Sequence, residues 1–173
     1  MNRKLDCLII RQPFASLIAY GPKRWEFRSY NSRKRGPICI ASSKGPPLKT
    51  TSEELNEASK TFPRGFVLAT AILKDSFLAN RKNLSTVLTE EKTVCLHKCN
   101  LKVAAEPLGE PLKDILTSIS DRKWQMYVWR LSNVTPLRKP FVLTGTHVST
   151  WGKVELPEEE IFSKNLLHYF TYS

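Results

Sequence analysis

Between residues 21 and 35 the chain sets one carboxylate among six cations. Lys23, Arg24 and Arg28 flank Glu26, and Arg33, Lys34 and Arg35 follow at once. Arginine at this density binds phosphate oxygens in a fork, and lysine binds them as a point charge. The carboxylate has three possible uses. Glu26 pairs with Arg24 or Arg28 on a strand, accepts a hydrogen bond from a base edge, or moves a proton if partly buried. The residues leave all three open. Arg11, Gln12, Ser29 and Lys44 add polar groups nearby in sequence. Trp25, Tyr30, Trp124, Trp129 and Trp151 are the aromatic groups on which a base would stack. Tryptophan at strand spacing is more often core, so at least two of these are expected inside. Tyr30 lies in a polar stretch and Trp151 follows the polar run 144–150, which favours those two as platforms.

The charge is lopsided. Residues 1–49 hold 11 Lys and Arg against the two acids Asp6 and Glu26, a net of +9, whereas the whole chain of 173 residues is +11. A solvated basic face is the plain alternative, but this concentration favours phosphate contacts and a polyanionic partner. Phosphate contacts give affinity and register rather than sequence choice.

Other chemistries find less support. Cys95-Leu-His97-Lys-Cys99 holds zinc-type ligands, but a structural site needs four and the chain has no second close pair. No metal site is expected there. The glycine-rich loops that cradle nucleotide phosphates are missing, so no cofactor is expected. His97, His147 and His168 stand in no arrangement with a nucleophile, and nothing reads as a hydrolase triad. Cys7 and Cys39 lie in apolar runs and read as buried thiols. No apolar run reaches the roughly 18 residues of a membrane span. The first residues lack a signal-peptide pattern. These features imply a cytoplasmic or nuclear protein with no membrane partner.

The elements that would position the cluster follow from pattern. Residues 5–10 read as a buried strand. A mostly apolar helix follows, with Pro13 at its first position and Gly21 as its C-terminal cap. Residues 23–30 alternate as a strand, with Glu26, Arg28 and Arg24 on one face. Strict alternation then puts Lys23 on the other face, so a shared site for Lys23 and Glu26 requires a loop or bulge over residues 21–24. Residues 38–41 and 66–74 read as further strands, and 52–60 as a helix opened by a capping box. Residues 76–123 read as a connector or family-variable insertion with a short helix near 112–119. Residues 124–131 alternate as a strand, after which Pro136, Pro140 and Gly145 are expected to break the chain into short pieces. Residues 158–170 carry helical spacing behind three glutamates. The sum is a single α+β domain over 1–173, a small, strongly bent mixed β-barrel of five or six strands with flanking helices.

The run Ile10-Arg-Gln-Pro-Phe-Ala-Ser-Leu-Ile18, then Gly21-x-Lys23-x-x-Glu26-x-Arg28-Ser29, then Arg35-Gly36-Pro37 and Ala41-Ser-Ser-Lys44, resembles the ASCH domain family. That family is named for its homology to an activating signal cointegrator, a transcriptional coactivator. The likeness continues through Pro63-Arg-Gly65 and the strand after it, which ends at Asp75. It returns with Trp124-x-x-Tyr-Val-Trp129, Pro136-Leu and Trp151-Gly. It implies a PUA-like fold, a cleft at the G-x-K-x-x-E-x-R strand and binding of RNA or DNA, single strands favoured. Protein partners in a transcription or RNA-processing complex are implied too. Related PUA-like domains read modified or flipped bases. The cleft is expected to gather Lys23, Glu26 and Arg28 with Gln12 and Ser29. Some small members are amidohydrolases acting on acetylated cytidine, with a threonine three residues after the lysine. Here Glu26 stands in that place, and only Asp75 matches the later acid. Other members are reported as ribonucleases. An enzyme using Lys23, Glu26 and Asp75 is therefore the alternative to a binding module.

Overall fold

The segments LDCLII, ICIA and FVLATAIL are short, apolar and rich in β-branched residues, which suits strands covered on both faces. They become neighbours at the centre of one sheet. The computed structural model describes residues 3–21, 23–50, 53–80, 127–145, 150–157 and 160. Its elements are β1 (Arg3–Ile10), α1 (Phe14–Ala19), β2 (Trp25–Arg28), β3 (Gly36–Ser42), α2 (Glu53–Ser59), β4 (Phe66–Leu78), β5 (Tyr127–Val142) and β6 (Trp151–Leu156). The six strands form a sheet in the order β2-β5-β4-β3-β1-β6. β1 and β3 run parallel, and the other pairs are antiparallel. This mixed sheet with two short helices is the α+β architecture that the sequence leads one to expect. Its two ends, β2 and β6, are not paired with each other.

Alternation sorts the core onto both faces. Leu8, Ile10, Ile38, Ile40 and Trp129 pack with Ala15, Ile18 and Ala19 of α1 on one side. Cys7, Ile9, Cys39, Ala41, Leu143 and Leu156 pack on the other. Cys7 stands directly opposite Cys39 across β1 and β3, and both are fully buried, as expected. Burial pushes the Cys39 thiol up to about 12. It raises Cys7 as well, with the neighbouring Cys39 and Asp6 adding to the effect. Thiols held protonated in this way are poor nucleophiles.

Two expectations change. Pro136 and Pro140 do not break the chain, because β5 runs through both as a strand of 16 residues. Beyond Leu131, β4 is the one described strand paired with β5, so a proline nitrogen has an open edge to face. Bulges bend the β4–β5 pair in three places, and Asn133, with φ of 48°, lies in one of them. β4 continues past Asp75 to Leu78, so residues 76–78 are strand rather than connector. Residues 81–123 of the connector, with the helix near 112–119 and Cys95, His97 and Cys99, lie outside the described residues, as do Trp124 and, apart from Glu160, the helix over 158–170.

Candidate functional site

The site is built from the turn at each end of α1. Gln12 is fully buried, and both its amide oxygen and its amide nitrogen are hydrogen-bonded. Its Oε1 accepts the Ser16 backbone N–H at 3.0 Å, and its Nε2 donates to the Pro63 carbonyl at 2.7 Å. Gln12 thereby satisfies a first-turn N–H that the helix leaves without a partner. Pro13 consequently precedes the helix and does not open it, a correction to the sequence reading. At the other end, Tyr20 is the cap and Gly21 follows it. Gly21 is needed for close approach: a Cβ there would lie 2.8 Å from the Leu17 carbonyl oxygen. That carbonyl accepts the Lys23 N–H at 3.2 Å, closing the turn that delivers Lys23. Arg24 folds back onto the helix end. Its Nη1 donates to the carbonyls of Ile18, Gly21 and Lys23 at 3.4, 3.0 and 2.8 Å. A cation there suits the helix dipole. Arg24 therefore does not share the pocket with Glu26.

β2 begins at Trp25, so Lys23 sits in the turn and is released from strand alternation. Its ammonium lies 3.8 Å from Glu26 Oε2 and donates to the Trp25 carbonyl. The Phe14 and Phe27 rings flank it, with centroids at 5.7 and 5.3 Å. Arg28 Nη2 approaches Glu26 Oε1 at 3.0 Å and donates to the Ile9 carbonyl at 3.3 Å. Lys23 and Glu26 are only 4% and 7% exposed. Charges so buried persist only when paired and hydrogen-bonded, and here two rings add cation–π attraction. One carboxylate is thus fixed between two cations. Among the described residues, Arg28 Nε is buried with no hydrogen-bond partner.

These groups floor a pocket of about 250 Å³. Phe14, Phe27, Ile10 and Leu48 supply its apolar walls, and Arg11 joins Lys23, Glu26 and Arg28 as its polar lining. Arg11 also holds one wall in place. Its Nε and Nη2 both donate to the Pro46 carbonyl, at 3.1 and 2.8 Å, while the Leu48 N–H donates to the Gln12 carbonyl at 2.7 Å. The polar loop after β3 is pinned in this way across the pocket. The sequence reading missed Phe14, Phe27, Leu48 and Ile10. The signal for Phe27 was its place between Glu26 and Arg28, but alternation assigned it to the opposite face.

The remaining candidates spread outward. Gln12 and Ser29 do not line the pocket; Gln12 lies beneath α1, and Ser29 is exposed just past β2. Tyr30 is 40% exposed, and Trp25 and Trp129 are core. Lys34 lies 2.7 Å from Asp6, which also meets Lys153 at 3.2 Å. Burial alone would raise the Asp6 pKa, but hydrogen bonds and charge from Lys34 and Lys153 outweigh it and hold the carboxyl below its ordinary value. The Lys34 ammonium is 5.3 Å from the half-buried Trp151 ring. Arg35 donates to the carbonyls of Ser32 and Lys34 and lies 3.5 Å from Asp75. Arg33 is exposed, and Lys44 donates to the Gly145 carbonyl at 3.2 Å. Asp75 pairs in register with Arg130, and Arg130 with Trp25. Two strand spacings, about 10 Å, therefore separate Asp75 from β2. The fold brings Lys23, Glu26, Arg28 and Arg11 together and leaves Asp75 outside.

The family model of the ASCH domain matches residues 8–140. A search of curated proteins finds no match to this chain. Among solved structures, the chain is similar to ASCH from Zymomonas mobilis at 16% identity, with 94% of this chain and 93% of that one covered and a TM-score of 0.48. It is also similar to the N-terminal domain of McrB from Staphylothermus marinus at 10% identity, with 95% and 93% covered and a TM-score of 0.49.

Proposed function

The chain belongs to the ASCH domain family, and on that premise we propose that it binds nucleic acid by taking one unstacked base of a single strand, RNA foremost, into the Glu26–Arg28 pocket. One observation carries the reading: a carboxylate and a guanidinium lie on the floor of a small pocket that has phenylalanine walls. At about 250 Å³ it is smaller than the usual site for a drug-sized ligand and suits one flat heterocycle. The phenylalanines offer apolar and π surface. Glu26 accepts from a ring N–H or exocyclic amine, and Arg28 Nε donates to a neighbouring ring nitrogen or carbonyl. Lys23 holds Glu26 in place. A stacked base cannot reach such a site, so single strands, loops and ends are the substrates. Arg33, Arg35 and Lys44 on the surface supply the phosphate attraction. A cytoplasmic or nuclear location and partners in transcription or RNA processing belong to the same reading.

The test is binding to a single-stranded RNA oligonucleotide between about 50 and 200 mM salt. Affinity should fall steeply across that range, and Arg33, Lys34 and Arg35 changed together to Glu should weaken it further. No binding at the low-salt end would overturn the proposal.

A second reading rests on the buried Lys23–Glu26 pair, because an amine and a carboxylate held together in a pocket are placed to move a proton. With Glu26 in the threonine position and Asp75 elsewhere, covalent amide cleavage lacks its groups. Phosphodiester cleavage by proton transfer is what this pair would support. Incubation with labelled RNA and with acetylcytidine separates the readings: turnover lost in both Lys23→Arg and Glu26→Gln would identify an enzyme.

A further inference from the structure

We propose that the unit recognised is two consecutive nucleotides, the first base in the pocket and the second stacked on the Tyr30 ring as an aromatic platform, with Trp151 beside it. This rests on the reading of the pocket given above. Trp129 pairs in register with Glu26 across β2 and β5, so the two side chains share a face of the sheet. Trp129 is fully buried and touches no ligand, but it fixes two rings that reach the surface. Trp151 lies nearly parallel to it, with centroids 5.5 Å apart and an interplanar angle of 18°. Tyr30 meets it edge-on at 5.3 Å and 81°, and the Trp129 indole N–H donates to the Tyr30 carbonyl at 3.2 Å. Tyr30 is therefore held at side chain and backbone, while 40% of it remains exposed.

Pocket and platform are contiguous. The Arg28 guanidinium donates to the Ile9 carbonyl, and the Ile9 N–H donates to the Thr150 carbonyl, one residue before Trp151. A strand leaving the pocket past Arg28 therefore arrives at these rings. Lys34 supplies a cation beside Trp151 for the phosphate joining the two nucleotides. Pre-fixed rings lose little side-chain freedom when a base stacks on them, and every base has a π face. The platform thus adds affinity without demanding a particular base.

The experiment measures binding of a nucleoside monophosphate and of the corresponding dinucleotide to the full chain, wild type, Tyr30→Ala and Tyr30→Phe. In the wild type the dinucleotide should bind at least about tenfold more tightly. That ratio should fall towards one in Tyr30→Ala and persist in Tyr30→Phe. Equal affinity of the two ligands in the wild type would overturn the platform and leave the pocket standing. A ratio unchanged by Tyr30→Ala would overturn it too. Absence of binding by either ligand would remove the pocket reading and the platform with it.

Discussion

Among the described residues, two triads set one carboxylate between two cations, and they differ chiefly in burial. Lys23–Glu26–Arg28 has side chains 5%, 9% and 23% exposed, whereas Lys34–Asp6–Lys153 has 38%, 24% and 67%. In the outer triad water screens each charge and the long lysines stay mobile, so little stability is at stake. In the inner one the same three charges are tied to each other, to two backbone carbonyls and to two rings. Dehydrating three charges is costly, and an apolar core would hold the strand as well or better. The comparison sets a dehydrated triad, whose cost the proposed base site would account for, against a solvated one that leaves Lys34 beside an aromatic ring.

Removing the central acid should separate the two most widely. Glu26→Ala leaves Lys23 and Arg28 buried without their counter-charge and should cost about 3–5 kcal/mol in urea unfolding. A loss below 1 kcal/mol would place the pair effectively in water. The double variant Lys23→Met with Glu26→Leu should recover most of that stability yet bind an oligonucleotide no more tightly than an abasic strand. Recovery of binding along with stability would show that the triad serves the fold alone. Next comes Gly21→Ala, which drives a methyl into the Leu17 carbonyl and should cost about 1–3 kcal/mol by shifting the turn that carries Lys23. Unchanged thermal stability would deny that close approach.

The outer triad should respond least. Asp6→Asn should cost less than about 1 kcal/mol at neutral pH. Its folded pKa lies below the ordinary 3.8, so the Asp6 contribution is complete above that value. It is lost as pH falls through the lowered folded pKa. The gap between wild type and Asp6→Asn should therefore close in acid. A gap that widens there would reverse the sign of the assigned interaction.

Much of the inner triad was legible because its spacing is local. Gly21, Lys23, Glu26 and Arg28 lie within eight residues, and a turn before a short strand is enough to gather three of them. Leu48 and Arg11 were not legible as a pair, because only the folded chain brings the Pro46 carbonyl to Arg11. Gln12 misled for a related reason: a polar side chain beside a helix start reads as a ligand group, yet its partners are Ser16 and the distant Pro63. Pro136 and Pro140 read as breakers because sequence does not show which edge of β5 is unpaired. The buried strands β1, β3 and β4 announced themselves by composition alone.

The central claim is that a base enters the pocket, as distinct from a backbone that merely lies on basic charge. Abasic strands separate these directly. A short single-stranded oligonucleotide with every base removed keeps all its phosphates and should bind weakly. Restoring one base should raise affinity at least about tenfold, and Glu26→Gln should abolish that gain. An all-abasic strand that binds wild-type protein as tightly as the intact one would contradict the account.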